Sequence, residues 1–338
     1  MLKKSLCLLL FSFILVTTGC SQSEGKSSEE VTNISNSGKY PMSFDVHTYE
    51  GKKVTQTINQ APEKVMIIGS SVAELMVKFG QQNKVVGFAY NDQAHSNFTE
   101  EIEKMHLVSE MWPSKESIIA LQPDLIYSIA SAFREELIGS IPSWSNRGIP
   151  VVSSTNFTIG RSIDIYFDEI KTFGKVFDIE NQTNKYLKEQ QARIDKITAK
   201  AKNIKDHPNV LLVSGARGKY FYYSPKWAII DEMIEGAGAE YIELSKEDYI
   251  ELSTEAIIAA NPDKIIITEF QQPDQEKTKN NLINDKKLQN IKAIQNKDVM
   301  VAEYTGAING GIELADLYEQ VAKFIHPDVF VGVVNDGE

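Results

Sequence analysis

Aromatic side chains are concentrated in the short segments that follow the predicted strands, including "AYNDQ", "SEMWPS", "SGARGKYFYYSPKW" and "EYTGA". Ligands of open α/β sheets bind beyond the carboxyl ends of the strands, so aromatic residues there predict walls for a bulky organic ligand. A small metal ion or an oxyanion needs no such walls. The aromatic residues predicted to bind a ligand are Tyr90, Trp112, Tyr220, Tyr222, Trp227 and Tyr304.

The segment "KYFYYSPKW" presents two alternatives. In a strand, Tyr220 and Tyr222 point to one side, whereas Phe221 and Tyr223 point to the other. Only one pair can line a cleft, and the other pair packs in the core of a strand or hairpin. We predict that Tyr220 and Tyr222 are the pair that faces the ligand.

Arg217 is the strongest polar candidate for ligand binding. The chain has five arginines against thirty lysines, and this one lies in "GARG" directly after a predicted strand. A guanidinium can pair with carboxylate or catecholate oxygens of a negatively charged chelate. The alternative is a surface arginine in a glycine-rich loop.

Catalytic and metal-binding patterns are weak. The sequence lacks the Gly-rich phosphate, CxxC, HExxH and GxSxG motifs. Ser70 and Ser71 follow a predicted strand and suit a helix cap better than a nucleophile, although a hydrolase with a scattered triad stays an alternative. The five histidines are scattered, and only His95, in a loop after a strand, is placed to approach a ligand. We therefore predict no enzyme activity, no resident cofactor and no metal site built from side chains.

One short segment occurs twice, 139 residues apart. "ESIIALQPDLIY" begins at Glu116 and "EAIIAANPDKII" begins at Glu255, with seven of twelve positions identical. Ser114 and Ser253 are predicted N-caps, which puts each glutamate at the second helical position. The helix dipole favours an acid there, and this alone could explain the repeat.

The repeat indicates two similar lobes. Strand and helix patterns alternate from Lys64, and the same succession restarts at Asn209. Such alternation predicts mostly parallel sheets with helices on both faces. Between the two lobes, residues 181–204 contain no Gly or Pro and carry apolar residues on one face, which predicts a single long helix. The fold class is therefore α/β, with two Rossmann-like lobes joined by one long rigid helix.

The N-terminal segment is typical of a secreted protein. "MLKK" and the apolar run Ser5–Val16 form a signal peptide over residues 1–19, too short to span a bilayer. Gly19-Cys20 resembles the cleavage site of bacterial lipoproteins, so Cys20 is the predicted lipid-bearing residue, although an ordinary signal with an incidental cysteine is an alternative. Residues 20–40 are rich in Ser, Gly and Glu and predict a flexible tether. The net charge of −11 argues against nucleic acid as a partner.

Four segments resemble the iron-complex and vitamin B12 family of substrate-binding proteins, the helical-backbone class that serves importers of the ATP-binding-cassette (ABC) type. They are "APEKVMIIGSSVAELMVKFGQQNKVVGFAY", "ESIIALQPDLIYS", "FGKVFDIENQTNKYLKEQQARI" and "DEMIEGAGAEYI". The resemblance covers about residues 62–338. It implies an N-terminal lobe at 41–180, a connecting helix at 181–205 and a C-terminal lobe at 206–338.

The resemblance also implies a function and partners. The expected ligand is a ferric siderophore, with haem or a cobalamin as alternative ligands within the family. A secreted hydrolase is the alternative from another class of protein. In this family a glutamate of each lobe meets arginine pockets of the permease, which makes Glu116 and Glu255 the expected docking pair. We expect a monomer, lipid-anchored on the outer face of the cell membrane of a Gram-positive bacterium, that serves a permease dimer and its ATPase subunits.

Overall fold

The structure, a computed structural model, describes residues 39–92, 97–155, 158–216, 218–271 and 274–331. Cys20, His95 and Arg217 lie outside the described residues. The described chain begins with an antiparallel hairpin of β1 (Met42–His47) and β2 (Lys53–Ile58). Val46 and Ile58 of this hairpin are buried, so the hairpin packs onto the first lobe through its apolar side chains.

The first lobe is built on a five-stranded, wholly parallel sheet with strand order β5-β4-β3-β6-β7. Every residue of β3 and β6 is buried, as expected for central strands with helices on both faces. The strands are β3 (Val65–Ile68), β4 (Val85–Ala89), β5 (Leu107–Ser109), β6 (Leu125–Ser128) and β7 (Val151–Ser153). The helices are α1 (Ser70–Lys78), α2 (Thr99–Ile102), α3 (Lys115–Ala120), α4 (Ile141–Ser145) and α5 (Ile163–Val176).

A single helix, α6 (Glu180–Ala201), follows the first lobe, although it ends four residues before the predicted end at residue 205. Its 22 residues span about 33 Å at 1.5 Å per residue. The predicted apolar face is buried at Leu187, Ile194, Ile197 and Ala201, and α5 packs against it. The helix therefore forms because one face is buried by tertiary packing, while its other face is polar and exposed.

The second lobe has a mixed sheet with strand order β11-β9-β8-β12-β13, and β10 also pairs with β8. The departure from a parallel sheet is local: β9 runs antiparallel to both β8 and β11. The strands are β8 (Asn209–Ala216), β9 (Lys219–Tyr223), β10 (Glu240–Tyr241), β11 (Tyr249–Leu252), β12 (Lys264–Glu269) and β13 (Val299–Val301). The helices are α7 (Ile230–Gly236), α8 (Thr254–Ala260), α9 (Gln275–Ile283), α10 (Lys292–Gln295), α11 (Tyr304–Asn309) and α12 (Leu314–Ile325).

The two halves of the chain contact each other through buried polar groups. The guanidinium of Arg161, which is 4% exposed, donates to the backbone carbonyl of Asn309 and to Glu169 at 2.8 Å. The amide of Arg161 donates to the carbonyl of Lys226 at 2.6 Å. A buried arginine in this position ties the segment before α5 to α11 and to the loop before α7.

Candidate functional site

An aromatic cavity lies between the two lobes, beyond the carboxyl ends of β4, β8 and β12. Its volume is about 490 Å³. One lining residue comes from the first lobe and the remainder come from the second. Its described lining residues are Tyr90, Ser214, Ala216, Lys219, Phe221, Tyr249, Phe270 and Tyr304. The position agrees with the expectation for ligand sites of open α/β sheets.

Tyr90 directly follows β4 and forms the wall contributed by the first lobe. Its φ of +58° is uncommon for a residue other than glycine, and its amide donates to the carbonyls of Ser109 and Met111. Trp112 stacks on the Tyr90 ring with centroids 4.0 Å apart and planes 19° apart. Trp112 thus supports the wall from behind and is not one of the described lining residues. The centroid of the Tyr90 ring also lies 6.4 Å from the ring centroid of Phe270 in the second lobe.

The face of β9 that lines the cavity is opposite to the predicted one. Tyr222 is completely buried, and its hydroxyl donates to the carbonyl of Ile242 at 2.9 Å. Phe221 instead lines the cavity and stacks on Tyr249, with centroids 5.1 Å apart and planes 10° apart. The Tyr223 hydroxyl hydrogen-bonds that of Tyr304 at 2.9 Å. The placement of Tyr222 in the cleft is therefore corrected: this side chain packs in the core.

Tyr220 and Trp227 also lie elsewhere than predicted. Both are partly buried and pack against the main hydrophobic core, and neither is a described lining residue of the cavity. Tyr220 shares its face of β9 with Tyr222, so the same pairing that buries Tyr222 turns Tyr220 away from the cavity. Of the six aromatics predicted, Tyr90 and Tyr304 line the cavity and Trp112 supports it.

Lys219 brings a positive charge to the cavity. It opens β9 two residues after Arg217, and its ammonium lies 2.7 Å from the carboxylate of Glu251 on the neighbouring strand. Both side chains are more than half exposed, so the pair is readily rearranged. Lys219 and Tyr249 are lining residues that the sequence prediction missed. The alternation of "KYFYY" would have indicated Lys219, which shares its face with Phe221, had that face been chosen.

Two carboxyl groups, the buried Asp92 and the partly buried Glu303, lie near the cavity. Asp92 accepts a hydrogen bond from the Ser70 amide at 2.8 Å, and burial raises its pKa. Glu303 accepts hydrogen bonds from the amides of Thr305 and Gly306 at 2.8 and 2.6 Å and so caps α11. Burial raises the pKa of Glu303 to about 7, and Asp92 adds to this rise by charge repulsion. The phenol of Tyr304 beside them has a pKa well above its usual value because it is buried.

The Ser70 side chain is buried and hydrogen-bonded within the fold. It begins α1 after Gly69, which is the N-cap residue in place of the predicted serine. Its hydroxyl donates to Asn91 Oδ1 at 3.1 Å and accepts from the Asp92 amide at 3.1 Å. The side chain is 1% exposed and joins α1 to the loop after β4.

Within the residues that the structure describes, no group of three or more His, Cys, Asp or Glu side chains could hold a metal ion.

The repeated segment forms two short helices with matching details. Ser114 and Ser253 each accept a hydrogen bond at 3.1 Å from the amide three residues on, as predicted for N-caps. Glu116 and Glu255 are therefore both second helical residues, and both are exposed. In the described part of the chain, neither carboxylate forms an ion pair.

No helix among the described residues is long and apolar enough to span a bilayer.

Solved structures share this architecture. The ABC-type Fe3+-hydroxamate transport system from Saccharomonospora viridis matches with a TM-score of 0.70 and 17% identity, over 85% of this chain and 99% of that one. The periplasmic heme-binding protein RhuT from Roseiflexus sp. RS-1 matches with a TM-score of 0.63 and 16% identity, over 79% of this chain and 99% of that one. At these identities the likeness establishes the fold alone, two α/β lobes.

The sequence comparisons establish the family. A family model described as periplasmic binding protein matches residues 65–304, so the chain belongs to that family. A Bacillus subtilis (strain 168) protein described as an uncharacterized ABC transporter substrate-binding lipoprotein, YvrC, is 23% identical over 288 residues, 85% of this chain and 87% of its own. The predicted family and fold class are confirmed. The roles of the individual site residues stay predictions.

Proposed function

We propose that this protein captures a ferric siderophore outside the cell and delivers it to the permease of an ABC importer. The observation that carries the proposal is the aromatic cavity of about 490 Å³ between the carboxyl ends of the two sheets. This volume lies within the roughly 300–1,000 Å³ range of small-molecule sites. Its walls suit a bulky chelate that encloses its own metal, and the similarity to a structure described as an Fe3+-hydroxamate transport system supports this ligand class.

The proposed binding set follows the geometry of the cavity. Tyr90, Phe221, Tyr249 and Tyr304 supply apolar and aromatic surface, with Trp112 as support behind Tyr90. Lys219 supplies a positive charge to an anionic chelate, and Arg217, two residues earlier, stays a predicted second cation. Tyr220, Tyr222 and Trp227 are left out because they pack in or against the core.

Haem is the second candidate ligand. Phe221 and Tyr249 are stacked with their planes 10° apart, and an aromatic stack of this kind also suits contact with a planar macrocycle. The similarity to a structure described as a heme-binding protein supports this alternative. A cobalamin is third. For the alternative of a secreted hydrolase, Ser70 is disfavoured as the nucleophile because its hydroxyl is buried and hydrogen-bonded to Asn91 and Asp92.

Delivery follows from the anchor and the two glutamates. A diacylglycerol on Cys20 would hold the mature chain at the outer face of the membrane as a monomer, and the relative described as a lipoprotein supports this placement. Glu116 and Glu255 would then contact the two subunits of the permease dimer, because one exposed glutamate at the same helical position in each of two similar lobes suits a two-fold symmetric partner.

Titration of tryptophan fluorescence tests the ligand class. Trp112 stacks on the Tyr90 wall, so a coloured chelate in the cavity should quench emission. We expect saturable quenching by a ferric hydroxamate or catecholate and weaker quenching by haem, cobalamin or a simple ferric salt. Tyr249→Ala should weaken binding about tenfold, the usual effect of losing one aromatic wall, whereas Tyr49→Ala, outside the described cavity lining, should not. Absence of saturable quenching by every chelate would overturn the proposal.

A further inference from the structure

The two copies of the repeated segment expose the same apolar residue. Ile119 is 44% exposed and Ile258 is 42% exposed. Each lies three residues after its glutamate and therefore on the same side of its helix. Exposure matches at every position from Ser114 to Ala120 and from Ser253 to Ala259. We name Glu116, Ile119 and Ala120 the α3 patch, and Glu255, Ile258 and Ala259 the α8 patch.

Other repeated residues have structural roles. Ile118 and Ile257 are fully buried in the two cores. The side chain of Asp124 accepts from the amides of Glu63 and Lys64, and that of Asp263 accepts from the amide of Asn209, so each fastens the start of a central strand. These contacts explain one isoleucine of each pair and the Pro-Asp turn. They do not require an exposed isoleucine.

Single exposed apolar side chains are ordinary on soluble proteins and carry no argument by themselves. The described residues have eight exposed large hydrophobic side chains, and two of them occupy this one repeated position. An isoleucine on a short exposed helix is also a poorer helix former than alanine or lysine. Local stability therefore favours another residue at both positions.

Helices α3 and α8 both begin at the carboxyl edge of their sheets, the edge beyond which the ligand cavity lies. Helix α3 begins after the carboxyl end of β5, which is parallel to β4, the strand that leads to Tyr90. Helix α8 begins after β11, and β11 runs in the same direction as β8 because each is antiparallel to β9. A surface that contacts the first turns of both helices therefore also lies near the edge of the sheets beyond which the cavity lies.

We propose that Ile119 and Ile258 are the apolar contacts of two equivalent docking patches for the permease dimer of the importer. Each permease subunit presents one cation to the glutamate and, beside it, one apolar pocket to the isoleucine. The inference rests on the proposed function for the identity of the partner. It adds that docking has an apolar component, shared equally by the two lobes, that salt does not screen.

Photo-crosslinking in living cells tests this without knowledge of the ligand. A benzophenone amino acid replaces the exposed Ala120 or Ala259 in the full-length protein, next to an intact isoleucine. Crosslinked partners are identified by mass spectrometry. We expect an integral-membrane permease subunit of an ABC importer from both positions.

The isoleucines are then changed in the crosslinking protein. Ile119→Ser and Ile258→Ser should each lower the permease crosslink about fivefold, since each removes several buried methyl and methylene groups, and the double variant should lower it more than tenfold. A variant with Ile→Leu at both positions should keep the permease crosslink close to the wild-type level. Leu107→Ser and Val329→Ser are controls, because those residues are 41% and 40% exposed but lie outside both patches.

The outcomes separate this inference from the proposed function. A permease crosslink that the double Ile→Ser variant leaves unchanged overturns the apolar contact and retains the docking glutamates. No permease crosslink from either position overturns both docking patches, whereas failure of the fluorescence titration overturns the ligand class alone. A loss caused equally by the control variants also overturns the inference, since it would be a general surface effect.

Discussion

At the scale of single residues, Tyr90 shows how the cavity wall is held. The left-handed conformation of its backbone is sparsely populated, and it persists because the amide is hydrogen-bonded and the ring stacks on Trp112. Tyr304, on the opposite lobe, is fixed by its hydroxyl contact with Tyr223. Both are therefore positioned before a ligand arrives, which lowers the entropic cost of binding.

Glu303 predicts a pH dependence of stability. Its folded pKa of about 7 lies above its ordinary value of 4.5, so the fold favours the protonated form. The resulting stabilisation is complete below about pH 4.5 and is lost as the pH rises through 7. Glu303→Gln cannot ionise and should remove this loss, on the order of 3 kcal/mol.

Urea unfolding at several values between pH 4.5 and 8 measures this effect. The free energy of unfolding of the wild-type protein should fall more steeply over that interval than that of Glu303→Gln. Asp231, whose pKa burial raises to about 6, contributes with the same sign and stays in both proteins. Parallel pH profiles for the two proteins would show that Glu303 is ionised in the fold at neutral pH.

At the scale of elements, β9 marks the limit of the sequence prediction. Side chains alternate between the two faces of a β-strand, which puts Tyr220 and Tyr222 on one face and Phe221 and Tyr223 on the other. This alternation does not say which face the core covers. Residues from elsewhere in the chain decide which face is buried. The ring of Tyr241 packs near that of Tyr222, with centroids 6.2 Å apart, and the carbonyl of Ile242 accepts a hydrogen bond from the Tyr222 hydroxyl. By contrast, α6 could be predicted because its apolar face, its length and the absence of Gly and Pro are local properties.

The capping serines predict an effect on stability that is separate from docking. Ser114→Ala or Ser253→Ala removes one side-chain acceptor for an amide of the first turn, which should cost about 1 kcal/mol. Ser→Gly at the same positions should cost less, a few tenths of a kcal/mol. Urea unfolding at one pH checks both values. A loss above about 3 kcal/mol would indicate that these serines have other contacts than capping.

At the scale of the whole molecule, the repeated segment was the most informative feature of the sequence, because it indicates two lobes, and the strand and helix succession in each lobe supports the fold class. The contacts between the lobes could not be predicted in this way. Arg161 meets Asn309, 148 residues later, and no local pattern marks it as buried. Such contacts depend on how the two finished lobes meet.

Arg161 should therefore matter more for stability than any exposed arginine. Arg161→Ala leaves the carbonyl of Asn309 and the carboxylate of Glu169 without this donor in a buried place, which should cost about 3 kcal/mol. Arg147→Ala, an exposed arginine stacked over Trp144, should cost less than about 1 kcal/mol. Thermal and urea unfolding measure both. Equal losses for the two variants would contradict a special role for Arg161.

Uptake of a ⁵⁵Fe-labelled siderophore by cells tests the central claim most directly. A strain lacking this chain should lose uptake, the wild-type chain should restore it, and a chain with Glu116→Gln and Glu255→Gln should restore little or none while binding the same chelate with unchanged affinity. The defect of the double Gln chain should be larger at low salt, where charge steering is strongest. Normal uptake in the strain that lacks the chain, for every chelate that the purified protein binds, would contradict the account.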